Sequence, residues 1–245
     1  MTIPSAAEQR GSSLHNVVDI VIAPSAAFER IRLVPAWGWA YLVASLLGIA
    51  GFLLMQPAFM HALETSGPAL YAANPAVAKL PPDQQAKAIE QTMSFARLSV
   101  KLQWIGFPIG LLISGLITAV LALFAKAVGK GEGSFRHFFA LAITLGVVTG
   151  LGLVITGLIC VMRGAASFDS LGSVTRAMPS LALLAPSAPN KAQAFLAAFS
   201  IVTLSVTTLQ AYGLVAIARI SPAIAWAFSI AGLVISAGLA ALFTP

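Results

Sequence analysis

Five charge-free, mainly apolar blocks lie along the chain, at about 36–60, 102–125, 138–162, 192–218 and 222–243. Each reaches the roughly 20 residues that a helix needs to cross the hydrocarbon core of a bilayer. Inside lipid every backbone amide must be paired within its own segment, so each block is read as a membrane-spanning helix. Between the blocks the polar residues gather in two long segments, 64–101 and 163–191, and two short turns. The short turns make tight antiparallel hairpins of spans two and three and of spans four and five. The fold class is all-α integral membrane, with five transmembrane helices preceded by an amphipathic interfacial helix.

Finer periodicities refine this layout. Residues 1–13 are small, polar and weakly patterned, and read as a mobile tail. From 14 to 245 the chain reads as a single membrane domain. Leu14, Val17, Val18, Val21 and Ile22 repeat at helical spacing, with His15, Asn16 and Asp19 off the stripe. Pro24 breaks this helix, and Phe28 and Ile31 carry its continuation. The pattern suits a broken helix lying in the membrane surface or packed on the protein's own face. Pro35 is followed by Trp37, Trp39 and Tyr41, an aromatic belt of the kind found where spans meet headgroups. Gln56 and Pro57 should bend the far end of the first span. Pro68, Pro75, Pro81 and Pro82 interrupt the first half of the 64–101 segment. A helix is expected from Asp83, running without a break into the second span.

Gly106, Gly110, Ser114, Thr118 and Ala122 recur every four residues in the second span, a continuous small face. Ala142, Gly146 and Gly150 do the same in the third. Small faces let membrane helices approach closely, so the short turn predicts that these two seams pair. Pro108 should kink the second span. Ser134 is the expected N-cap of the third span, and Ser221 with Pro222 the start of the fifth. Val174, Met178, Leu181 and Leu184 suggest a short surface helix interrupted by Pro179.

Composition agrees with the pattern. Of 245 residues, 58% are hydrophobic and only 9% charged, against about 25% charged in soluble domains. The net charge of +6 sits at span ends and in loops, where Lys and Arg meet lipid headgroups. No basic patch interleaved with aromatics points to nucleic acid. Seven basic residues fall on each side of the membrane, so the raw count ties. Short loops weigh most in setting topology, and both tight turns share the side of the N-terminus. This places the N-terminus in the cytosol and the C-terminus outside.

The search for chemistry returns little. Glu8, Asp19, Glu29, Glu64, Asp83, Glu90, Glu132 and Asp169 are all the acids, and none lies within a span. Ion-coupled transporters place such groups at mid-membrane, and aspartyl intramembrane proteases need an acidic pair there. His15, His61 and His137 lack metal-ligand spacing, and Cys160, the single cysteine, reads as a buried apolar residue. No catalytic residue, metal or cofactor is expected. The turn Lys126–His137, KAVGKGEGSFRH, lacks the spacer and terminal Gly-Lys-Ser/Thr of a phosphate loop and follows a helix instead of a strand.

Two candidate sites stand. Lys126, Lys130, Phe135 and Arg136 form a contact surface for a partner or anionic lipid. The commoner role of such a turn is only to reverse the chain. Thr203, Thr207 and Gln210 share a face of the fourth span and form a candidate polar groove. The competing reading, hydrogen bonding within the bundle, is the favoured one for membrane Ser and Thr.

The segment Ala23–Phe28 followed by Pro35 and Trp37, and the turn Gly129–Arg136, resemble the corresponding parts of Yip domain proteins. Glu132 and Gly133 are an insertion relative to that family's usual turn. The resemblance covers about residues 15–243. It implies a five-span membrane protein with a cytosolic N-terminus, here of the bacterial inner-membrane kind, and carries no catalytic residues. Expected partners are membrane lipids and either another membrane protein or a second copy. The function this implies is a non-enzymatic scaffold or membrane-organising protein. A passive translocator of lipid or small molecules is the alternative.

Overall fold

The structure, a computed structural model, describes the backbone of residues 6–244 and the side chains of residues 14–244. Ten α-helices follow in order: α1 Ala6–Ile22, α2 Pro24–Leu33, α3 Gly38–Ala72, α4 Pro75–Ala78, α5 Pro82–Gly129, α6 Phe135–Arg163, α7 Leu171–Thr175, α8 Asn190–Ala197, α9 Ile201–Ala218 and α10 Pro222–Leu242. Helices α3, α5, α6, α9 and α10 are long and apolar enough to cross a membrane. These are the five predicted blocks, and the chain is an integral membrane protein by this measure. Residues 1–5 of the expected tail lie outside the described residues, and from Ala6 the backbone is helical.

Helix α6 is the centre of the bundle. In its most apolar window 61% of residues are buried, against 22% in α5 and α10. Gly150 and Gly157 of α6 meet α3, whereas Gly146, in the seam predicted to pair with α5, meets Leu111 of α5. A Cβ on Gly150 would lie 3.0 Å from the Ala44 carbonyl oxygen, and one on Gly51 would lie 2.6 Å from the Leu153 carbonyl carbon. The physical reason is complementarity. Helix α3 presents Ala44, Gly48 and Gly51 to α6, so both backbones close in and gain dispersion contacts along the seam. Toward α5, by contrast, α6 presents Phe139 and Ile143, which fill the space at Gly115.

Three boundaries differ from the sequence reading. Helix α3 continues to Ala72 through Pro57 and Pro68. A membrane helix tolerates an internal proline when neighbours cover the freed backbone, and here Met93 of α5 packs against Gly67. Helix α5 runs unbroken from Pro82 as expected, about 72 Å by helical rise. It therefore projects well past a 30 Å hydrocarbon core beside the end of α3, where Arg97 lies 3.9 Å from Glu64. The fourth block breaks into α8 and α9. Ser200 stops the run and caps α9 by accepting from the Thr203 amide at 3.2 Å. Between α6 and α8, the expected surface helix is reduced to α7 and one 3-10 turn at 181–184.

The N-terminal pair is amphipathic on both sides. Asn16, Ile20, Phe28 and Ile31 are buried against the bundle, while Leu14, Val18, Val21 and Ile22 of the predicted stripe stay exposed. Phe28 reaches Gly213 of α9, and the His137 ring meets the Arg32 backbone. Pro24 and Ile20 share a groove with Val148 and Leu151 of α6. The pair thus descends the flank of α6 by about 11 residues, roughly 16 Å. An ion pair between Asp19 and Arg30 ties its two helices together.

Candidate functional site

The two short turns lie at one end of the bundle, here the turn end, and they dock on each other. Helix α5 stops at Gly129 because Lys130 adopts a left-handed conformation (φ 50°), and α9 stops at Arg219 in the same way (φ 53°). The Glu132 amide donates to the Ala218 carbonyl at 2.7 Å. A Cβ on Gly131 would sit 2.3 Å from that same oxygen, so only glycine fits there. Arg219 lies 3.7 Å from the Glu132 carboxylate. Glu132 and Gly133 thus supply the docking contact and a positive φ of 92°.

The four turn residues singled out by sequence divide in two. Lys126 donates its ammonium to the Gly133 carbonyl at 2.8 Å and closes the turn from inside. Phe135 stacks on Phe139, which meets Trp37 edge-on. Both belong to the fold. Lys130 and Arg136 are exposed, and neither has an acidic partner among the described residues. The Ser134 amide donates to His137 Nδ1 at 3.2 Å, so the expected cap is present with histidine as its second member.

The second candidate lies within the bundle. Helix α5 packs on α3 and α6 but barely on α9, which leaves a cleft between α5 and the α9–α10 hairpin. One part, of about 460 Å³, is lined by Gly106, Gly110, Thr149, Val206 and Gln210 among others. The adjoining part, of about 370 Å³, adds Thr203, Thr207, Ser229, Gly232 and Ser236. Ser114, Thr118, Val206 and Gln210 line both parts and join them. All three residues of the predicted polar groove therefore border this cleft.

Their hydrogen bonding is unequal. Thr207 donates to the Thr203 carbonyl at 2.8 Å, and the Thr203 hydroxyl pairs with Ser200. Ser114 and Ser236 likewise bond their own helices. Those hydroxyls behave as membrane Ser and Thr usually do. Gln210 differs, because its carboxamide has no hydrogen-bond partner among the described residues. Ser229 is buried with its hydroxyl unpartnered. Sequence reasoning missed Ser229, and it read Gly106 and Gly110 as a packing seam. The available signal was the four-residue register of small and hydroxylated residues on α5. Among the described residues no group of three His, Cys, Asp or Glu is placed to hold a metal.

No family model, no curated protein and no solved structure matches the chain.

Proposed function

We propose that this protein is a non-enzymatic membrane protein of the Yip domain type that organises its membrane by holding a partner. Its setting is a bacterial inner membrane, with the turn end and the N-terminus in the cytosol. The observation that carries this reading is the docked pair of turns. Hydrogen bonding between Glu132 and Ala218 makes one fixed rim of two hairpins, and Lys130 and Arg136 project from it unpaired. A preformed basic rim suits an acidic surface, because little order is lost on binding. The test is affinity purification from native membranes with Lys130→Ala/Arg136→Ala beside the wild type. The reading expects a reproducible partner that the double variant loses. Recovery of the same proteins with both chains would overturn it.

The cleft between α5 and α9 favours a second reading, passage of a lipid or small molecule. Its turn-end limit, at Leu121 and Phe228, stops short of the docked turns. Ala122 and Ala125 are buried beyond it. A cleft closed at one end supports binding over passage. Flux or scrambling in reconstituted liposomes above protein-free controls would reverse that order.

A further inference from the structure

The cleft has an occupant chemistry of its own, independent of the basic rim. Its walls mix apolar side chains with Ser, Thr and Gln, and no ionisable side chain lines either part. Its α5 lining runs from Gln103 to Thr118, about 22 Å by helical rise, around a volume of about 460 Å³. That is a narrow, elongated space. The lips are exposed aliphatics, including Ile117, Leu121 and Ile235. The cleft therefore opens sideways, toward lipid.

Ser114, Thr207 and Ser236 on these walls bond their own helices, and two polar groups near mid-depth do not. The α9–α10 turn centres on Ile220, so the antiparallel hairpin sets residue 210 opposite about residue 230. Gln210 and Ser229 thus lie at the same depth, near the middle of α9. Ser229 is 2% exposed, and its hydroxyl has no partner. The Gln210 carboxamide, which lines both parts of the cleft, is also unpaired. Polar groups in a membrane interior are normally satisfied by a neighbour. Above them, Gly106 and Gly110 have no heavy atom within 4 Å of where a Cβ would stand. These glycines hold space open instead of closing an interface.

We infer that the cleft binds a neutral amphiphile: a single-chain apolar body bearing an uncharged hydroxyl or carbonyl that meets the Gln210 carboxamide. A phospholipid tail offers these groups no hydrogen bond. A carboxylate or ammonium finds no counter-charge there and would bear an unpaid desolvation cost. An uncharged oxygen satisfies the Gln210 amide without a counter-charge. It enters from the lipid side past Ile117 and Ile235, and its chain lies along Gly106 and Gly110.

The experiment uses the full chain in lipid nanodiscs with three 16-carbon diazirine probes: a primary alcohol, the matching carboxylate and the matching alkane. Photolabelling is mapped by peptide mass spectrometry. The alcohol is expected to label 103–118 and 203–210 about fivefold more than the alkane, the preference of one net hydrogen bond. Gly110→Leu fills the cleft and should abolish that labelling. Gly238→Leu, also in open space but outside the lining, should leave it unchanged. Gln210→Leu should keep the alkane signal and erase the preference for the alcohol. Equal labelling by alcohol and alkane in the wild type would show ordinary lipid contact only and overturn the inference. So would strongest labelling by the carboxylate, or indifference to Gly110→Leu. If Gly110→Leu fails to fold, Gly106→Leu carries the same expectation. A Gly110→Cys chain on a Cys160→Ser background that forms a disulfide dimer in the membrane would assign the cleft to a second copy and also overturn it.

Discussion

The α3–α6 interface and the α5–α9 cleft are written in the same residues and come out opposite. Both carry small residues every four positions on a span. At α3–α6 the seam is closed to the backbone, with Gly51 and Gly150 each within about 3 Å of a neighbouring main-chain atom if a Cβ is added. At α5 the same register leaves Gly106 and Gly110 facing open space. The difference lies in the partner. Ala44, Gly48 and Gly51 leave the α3 backbone open on this side, and Gly150 and Leu153 of α6 close onto it. Across the cleft α9 offers Val206 and Gln210, which hold it away. A small-residue register in one helix permits close approach; what the opposite helix presents decides whether it happens.

That contrast is easiest to break with leucine. Gly51→Leu and Gly150→Leu insert a large side chain against backbone that has no other rotamer to take. Each is expected to cost about 3 kcal/mol or more, the upper range for overpacking, and to abolish the folded fraction on size-exclusion chromatography in detergent. Gly110→Leu places the same side chain in the cleft and should cost less than about 0.5 kcal/mol, as for a surface change. Similar melting temperatures for Gly51→Leu and Gly110→Leu would erase the distinction between the two regions.

How much of this was legible in the sequence follows from the same contrast. Span number, the continuous α5 and the Ser221–Pro222 start of α10 depend on composition and local chemistry, which a single segment carries by itself. The partner of a seam does not, because it is set by what a distant segment presents. The shortness of their turn makes α5 and α6 neighbours, with Gly146 against Leu111, but the face onto which Gly150 and Gly157 close comes from α3, some hundred positions away in the chain. The break before α9 was visible as Ser200 followed three residues later by Thr203, but the apolar run on either side masked it. At the candidate sites, Thr203, Thr207 and Gln210 were found by their shared face. Ser229 was not, since only the tertiary structure shows that its hydroxyl goes unmet. Lys126 looked like its exposed neighbours until its bond to the Gly133 carbonyl placed it inside the turn.

The docked turns offer a middle case, closed like the seam but at the bundle's rim. Gly131→Ala would drive a Cβ into the Ala218 carbonyl. The expected loss is about 1–3 kcal/mol, most of it local. Hydrogen exchange should show faster opening at the Glu132 amide and in the last turn of α9, with the α3–α6 seam unaffected. Lys126→Met keeps the aliphatic stem and removes the bond to Gly133, for an expected loss of about 1 kcal/mol and faster proteolysis at the turn. Unchanged exchange in Gly131→Ala would mean the turns are independent of one another.

The smallest effect belongs to the Glu132–Arg219 pair. Its charges stand 3.7 Å apart, and both side chains are more than half exposed. Exposed pairs of this kind contribute about 0–1 kcal/mol and fade with salt. The amide of Glu132 makes the shorter contact and does not depend on the side chain. Glu132→Gln should therefore leave the melting temperature within about 1 °C, a shift corresponding to a few tenths of a kcal/mol, and should leave the Glu132 amide protected. It also adds one positive charge to the net charge of the rim by removing the acid beside Arg219. If partner capture through Lys130 and Arg136 is electrostatic, the variant should strengthen it at low salt, with the gain lost as ionic strength rises. A Glu132→Gln protein that loses amide protection would place the docking in the ion pair, and the rim would then be held by charge instead of by its backbone.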